Sequence, residues 1–380
     1  MFPLSFQRRK SSGKAHPPPH PGFFQGGTAK KRQSAVPIAY VNPLAFRKQF
    51  LAFHGLAASR GRPRNCYTVH IMTTFTTIDL NWTGRPESIA ALLIESAGAR
   101  AVIDPGPAST LDSLHSALKT RGLDFSSLDA LLLTHIHLDH AGATGTLVRE
   151  NPRLQVYVHE IGAPHMADPS RLLASARRLY GQALEPLYGQ CLPVRAETLR
   201  SLAGGEKLKI GEVELDVFYT PGHASHHVTY RDAASRTAFV GDTAGIRIAG
   251  KPFLLPATPP PDIDLELWNG SLDLISSWQP ERIFLTHFGY TENPGEHLRL
   301  YREQLRRWAS LTQELLESTA DMAVAEQKFI EAVSSEVRRE LPAEAAELYI
   351  FTGGLGLSWR GLARYVRKKS EQASASPAAS

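Results

Sequence analysis

The chain has only two cysteines in 380 residues, Cys66 and Cys191. That excludes a disulfide framework and a zinc site built from thiolates. No run of roughly 18 or more uncharged apolar residues is present, which excludes a transmembrane helix and leaves no membrane partner to expect. Acidic residues are missing from the first 72 positions, where 12 Lys and Arg stand alone, and the first acid is Asp79. Residues 73–380 then hold 30 basic and 37 acidic side chains, a net of −7, although the whole chain carries +5. The basic balance therefore belongs to the leader. It gives no ground for expecting a nucleic-acid partner of the body.

The leader is unlike the rest. "KAHPPPHPGFFQGGTAKKRQ" is rich in Pro, Gly and basic residues and has neither a helical nor a strand period. It cannot bury enough apolar surface to offset ordering entropy, so residues 1–72 read as disordered. Three accounts stay open: translation starting at Met72, a targeting segment rich in Arg, or a solvated basic tail.

Order is expected from about Thr76. "SIAALLIESAGARAVIDPGP" reads as a strand pair turning at Gly98, and Leu111, Leu114 and Leu118 mark a helix that Gly122 can stop. Further strands carry "ALLL", "LQVYVHE", "DVFYTPGH", "TAFVGD" and "RIFLTH". From Glu296 the period is helical, with Leu298, Tyr301, Leu305, Trp308 and Leu315 near one face that reads as core. Hairpins mixed with helices predict an α/β chain of the α+β type, with two mixed sheets packed together and helices outside. The layout expected is a body over 73–295 with a helical insertion at about 160–200, a helical region over 296–370, and a disordered tail over 371–380.

"LLLTHIHLDHAG", residues 131–142, places His135, His137, Asp139 and His140 directly after an apolar strand. Three later strands also end in ligand-type residues: His223 in "TPGHASHH", Asp242 in "FVGDTAG" and His287 in "LTHFG". Five imidazoles and two carboxylates suit zinc, and also iron or manganese. Seven ligands are too many for one tetrahedral ion. They fit two divalent ions that share a bridge. His226 and His227 read as bystanders, and His159, His165 and His297 carry still weaker claims.

This set of motifs, His-x-His-x-Asp-His and three downstream ligand motifs in order, resembles the metallo-β-lactamase superfamily over about residues 76–290. The resemblance implies an αββα sandwich with a dinuclear site at one edge. It implies that His135, His137 and His223 hold one metal, that Asp139, His140 and His287 hold the other, and that Asp242 bridges them. Asp104, in the family's Asp-x-Gly position, would support a ligand from behind. Two cations would bring the pKa of a shared water toward neutrality, and Asp139 would orient the resulting hydroxide and pass a proton to the leaving group.

Departures within the superfamily narrow the reaction. Asp242 argues against true β-lactamases, which lack that bridge, and His137 against flavodiiron proteins, which have Glu there. Nuclease elements of the RNase Z kind are not found. The ligand pattern resembles glyoxalase II and the lactonases most, although Gly245 stands where lactonases have Tyr, and the basic glutathione-binding residues are not recognisable. The expected activity is hydrolysis of an ester, thioester or lactone of a small, partly apolar substrate by a cytoplasmic enzyme, with a homodimer left open. Alternatives are a mononuclear iron oxygenase of the persulfide dioxygenase kind, a phosphodiesterase, or a non-catalytic module using "WRGLARYVRKK". Between His140 and His223 lie 82 residues. Their Leu and Tyr at helical spacing fit either ordinary packing against the sandwich or a helical cap, which would put Tyr180 and Tyr188 in the substrate pocket, with Phe253 in a proline-stiffened wall.

Overall fold

The computed structural model describes residues 73–375, apart from 249–252 and 292. The leader, residues 1–72, lies outside the described residues, and with it Cys66 and the three accounts of that segment. The first sheet sets β1 (Thr74–Asp79), β2 (Ala90–Ser96), β3 (Ala99–Ile103), β4 (Ala130–Leu132), β5 (Gln155–His159) and β6 (Leu199–Leu202) side by side in chain order. The first two pairings are antiparallel and the remaining three parallel. The second sheet does the same with β7 (Lys207–Ile210), β8 (Val213–Tyr219), β9 (Val228–Asp232), β10 (Thr237–Gly241), β11 (Arg282–Leu285) and β12 (Gly289–Thr291), with β10–β11 as its parallel pair.

Both sheets are mixed, as the hairpin and crossover pattern predicts. Side chains alternate faces along a strand. In β2, Ala90, Leu92 and Ile94 point between the sheets, where they meet Leu215, Val217, Tyr230, Phe239 and Phe284. Ala91 and Leu93 point outward with Val102, Leu131 and Val156, and are covered by Leu114 and Leu118 of α1 (Leu111–Lys119). A strand buried on both faces reads as the near-continuous apolar run seen in "AALLI".

Four short helices follow on the first sheet's side: α2 (Leu138–Ala141), α3 (Thr144–Glu150), α4 (Ala163–Ala167) and α5 (Ser170–Tyr180). They are followed by α6 (Leu184–Tyr188). On the second sheet, Trp268, Leu272 and Ile275 of α7 (Leu265–Ser277) cover Ala238, Val240, Ile283 and Leu285. The same cluster takes in Leu298, Tyr301, Leu305 and Trp308 of α8 (Pro294–Ser318). Each such buried side chain contributes about 1.5–3 kcal/mol. The helices after residue 293 thus complete the outer layer of the second sheet. They continue as α9 (Met322–Glu340), α10 (Ala343–Gly353) and α11 (Leu355–Ala375), which share that core through Phe329, Tyr349 and Trp359. The boundary placed at 370 needs correction: α11 runs on through "EQASA", where Glu, Gln and Ala sustain a helix that packing no longer dictates. The result is an αββα sandwich with a helical C-terminal extension.

Candidate metal centre

Four strand ends on the two sheets meet at one edge. β4 leads into His135, His137, Asp139 and His140, the last two on α2. β8 leads to His223, β10 to Asp242 and β11 to His287. Two glycines make the approach possible. Gly222 has φ +138, and a Cβ there would come within 2.3 Å of the Trp268 backbone. Gly241 has φ +48, and a Cβ there would sit 2.6 Å from the Thr134 hydroxyl. Either substitution would push the following ligand-type residue out of place.

Three groups of side chains bring donor atoms within 4.8 Å of one another: His135, His137 and His223; His135, His140 and Asp242; and Asp139, His140 and His287. His137 Nδ1 lies 3.0 Å from His135 Nε2 and 2.9 Å from His223 Nε2. A tetrahedral zinc with its usual nitrogen distances would need these edges at about 3.3 Å, a small outward relaxation. Asp242 faces both ways. Its Oδ1 is 3.2 Å from His140 Nε2 and 3.6 Å from His287 Nε2, while its Oδ2 is 3.5 Å from His223 Nε2. Asp139 Oδ2 is 3.4 Å from His287 Nε2 and 4.0 Å from His140 Nε2.

The donor set fits a cation by one further test. His140 Nε2 and Asp242 Oδ1 are buried and close, yet their geometry makes no hydrogen bond, so both remain unpartnered. Orphaned buried polar atoms are costly, and an ion between them would satisfy both.

The outer nitrogens are held in the tautomer that such an ion requires. His223 Nδ1 donates to Ala257 O at 2.7 Å, and His287 Nδ1 to Ser88 O at 2.8 Å. His140 Nδ1 donates to Asp104 Oδ2 at 2.8 Å. In the neutral ring, each of these bonds leaves an Nε2 lone pair facing the centre. His135 Nδ1 reaches Thr134 Oγ1, which itself donates to Asp104. Asp104 is fully buried just past β3, in a left-handed conformation (φ +48) that Asp tolerates better than most residues. It also accepts from Thr134 N at 2.8 Å and Thr286 Oγ1 at 2.9 Å. It thereby ties its own loop after β3 to the 134–140 segment and to Thr286 after β11.

Burial, followed by neighbouring imidazoles, pushes His135 well below the ordinary histidine range. Burial also lowers His223, and brings His137 to about 3. All three are therefore neutral at pH 7, the form in which imidazole binds metals. For His140 and His287, burial is outweighed by facing carboxylates, Asp242 foremost, and both are raised. The same pairing overcomes burial at Asp242, which falls well below the carboxylate range, and at Asp139, which falls to about 2.

Above the centre lies a cavity of about 340 Å³. His137, Asp139, His223, Asp242 and His287 form part of its wall. One side of α5 lies along it, from Arg171 to Tyr180, followed by Leu187 and Tyr188. Tyr180 and Tyr188 meet edge to face at 5.0 Å. Phe253 does not line the cavity, contrary to expectation. It packs on Tyr349 at 5.8 Å, and its carbonyl accepts the Tyr349 hydroxyl, which draws this stretch into the outer core. The proline wall is formed instead by Pro259, Pro260 and Pro261.

Sequence reasoning missed three contributors. Trp82 lies on the wall and donates from Nε1 to Leu187 O at 2.6 Å. Phe351 through Gly354, with Leu357 and Ser358, bring the α10–α11 junction to the cavity, and the helix-breaking "FTGGLG" was the available signal. His226 also lines the cavity, with Nδ1 facing Ile136 N at 3.5 Å. His227 stands outside the three donor groups and stacks behind His135 at 5.1 Å. Of the weaker candidates, His165 lines the cavity, His159 stacks on Tyr219, and His297 donates to Ala244 O.

A sequence model of the family described as "Metallo-beta-lactamase superfamily" matches residues 84–287. A metallo-beta-lactamase fold-containing protein of Sulfurisphaera tokodaii is 28% identical over 193 residues, 48% of this chain and 72% of that protein. A hydroxyacylglutathione hydrolase of Legionella pneumophila is 23% identical over 41% of this chain and 46% of its own length. A probable metallo-hydrolase of Bacillus subtilis is 32% identical over 34% of this chain and 53% of its own. The chain therefore spans about half the length of these last two relatives. Among solved structures, an archaeal metallo-beta-lactamase superfamily protein from Sulfolobus tokodaii superposes with a TM-score of 0.55 at 22% identity, covering 77% of this chain and 98% of that one. A metallo-beta-lactamase family protein from Thermus thermophilus does so with 0.55 at 18%, covering 78% and 94%. Both share the fold.

Proposed function

Since the chain belongs to the metallo-β-lactamase superfamily, we propose that it is a dinuclear metal-dependent hydrolase acting on an ester, thioester or lactone bond. His135, His137 and His223 would hold one divalent ion, and Asp139, His140 and His287 the other. Asp242 would serve both, and the observation that carries this reading is its two oxygens facing separate histidine groups. The nitrogen and oxygen donors favour zinc, with iron and manganese as the competing ions. When bound, two such ions acidify water and polarise a substrate carbonyl.

The chain's own residues would do the rest. Asp139 is ionised and lines the cavity, with its Oδ2 3.4 Å from His287 Nε2. It is placed to accept a proton and return it to the departing alcohol or thiol. Tyr180, Tyr188, Leu172 and Leu179 exclude water and bind an apolar acyl group. Thioester chemistry draws support from the hydroxyacylglutathione hydrolases among the relatives.

Elemental analysis together with a panel of ester, thioester, lactone and phosphodiester substrates tests this reading. Two ions per chain and carboxyl-ester turnover are expected, with both lost in Asp242→Ala. A single iron with oxygen consumption on a persulfide would overturn it, as would preference for the phosphodiester.

A further inference from the structure

Helix α5 presents a stripe to the cavity: Arg171, Leu172, Ser175, Ala176, Leu179 and Tyr180. This spacing belongs to one side of a helix. The neighbouring Arg177 and Arg178 take no part in the wall, whereas Arg171 stands at the edge of the stripe and does. It is the sole Arg or Lys lining the cavity among the described residues. It is exposed and makes no ion pair among them. Asp168 is near enough to feel its charge, but Asp168 Oδ1 accepts the Ser170 N–H at 3.1 Å. Asp262, the one carboxylate of the wall outside the metal centre, accepts the Ser225 hydroxyl at 2.9 Å.

The other end of the stripe marks the reacting end. Tyr180 and Tyr188 sense the charge of Asp139. Nine residues of helix put Arg171 about 13–14 Å from Tyr180 along the axis. Between the two lies an apolar surface. A guanidinium that makes no ion pair among the described residues, at the far end of an apolar trough, is suited to a carboxylate or phosphate, which it can bind through two parallel hydrogen bonds.

Resting on the hydrolase reading above, we propose that Arg171 binds an anionic group of the substrate remote from the scissile bond. The substrate class is then an amphipathic ester, thioester or lactone: an apolar body of medium length with a carboxylate or phosphate at its far end. Arg171 is a specificity-determining residue. It selects among acyl groups and takes no part in bond cleavage.

The test uses metal-loaded, full-length protein and medium-chain thioesters that differ only at the far end: carboxylate, phosphate, or neutral methyl ester. The anionic substrates should exceed the neutral one in kcat/KM by about tenfold to a hundredfold, mostly through KM, as expected of a charge-assisted hydrogen bond. The stronger of the carboxylate and phosphate arms identifies the natural group. Arg171→Gln should bring the ratio toward unity, Arg171→Glu should invert it, and Arg171→Lys should restore part of it. Turnover with no charge preference, or a preference that survives Arg171→Gln, would overturn the role of Arg171 and leave the hydrolase reading standing. If neither these thioesters nor the matching oxygen esters and lactones were cleaved, that reading would fail, and calorimetric titration with a medium-chain dicarboxylate monomethyl ester would then decide the binding role. At least tenfold weaker binding to Arg171→Gln upholds it; equal affinity overturns it.

Discussion

The hydroxyl of Tyr349, on α10, accepts the backbone N–H of Ile248 at 2.9 Å and donates to the carbonyl of Phe253 at 2.8 Å. One side chain thereby fastens both flanks of the loop that follows Asp242. Tyr349→Phe removes both bonds and strands a buried N–H. It should cost about 1–3 kcal/mol, read as a lowered midpoint in denaturant with an unchanged slope. An unchanged midpoint would mean that the loop is held by its apolar contacts alone.

Asp104 accepts hydrogen bonds from Thr134, His140 and Thr286 without solvent contact. In Asp104→Ala these donors lose their acceptor together. Stability should fall by about 3–5 kcal/mol. Metal affinity should fall about 10- to 100-fold, because His140 loses its orientation. Competition with a chelator reads the second effect separately from the first. Asp104→Asn, which keeps one acceptor oxygen, should lose less of both.

On the proposed hydrolase reading, the apolar trough would set a chain-length dependence. Each added methylene that reaches it is worth at most about 0.8 kcal/mol, or roughly fourfold in kcat/KM. A homologous acyl series should rise over several carbons and then level off. Tyr180→Ala and Tyr188→Ala should flatten the rise while leaving metal content intact. A flat series in the unaltered protein would remove the trough from the substrate's path.

His297 supplies a pH effect. Burial brings it from 6.5 to about 4, partly offset by its bond to Ala244 O. Above pH 6.5 it is neutral in both folded and unfolded chains and contributes no slope. Between 6.5 and 4 the unfolded chain takes up a proton that the folded chain refuses, so stability falls as pH falls. Other histidines titrate there too, so the comparison is with His297→Gln. Its stability should fall less steeply in that window, by up to about one proton; identical slopes would disprove the assignment.

Much of this was legible in the sequence because the chemistry is local. His135, His137, Asp139 and His140 share one turn, and His223, Asp242 and His287 each follow an apolar strand, so period and residue type sufficed to place them at one edge. Asp104 could be singled out only through the family's pattern. What escaped depends on long-range packing. Phe351 and Trp82 reach the cavity from positions 269 residues apart, and no local period signals that meeting. Phe253 was misplaced for the same reason: a proline-rich apolar stretch suits a wall, but a tyrosine about a hundred residues later decides which part of it faces the core.

The donors of the centre come from both sheets: His135 through His140 from the first, and His223, Asp242 and His287 from the second. Any ion bound among them is thus a crosslink between the two halves of the chain. Thermodynamic linkage then makes folding stability a function of free metal concentration, adding about 2.7 kcal/mol when that concentration is a hundred times the dissociation constant. Before an ion arrives, Asp104 already joins the halves through Thr134 on one side and Thr286 on the other. Metal availability in the surrounding solution would therefore govern what fraction of the chain stays folded.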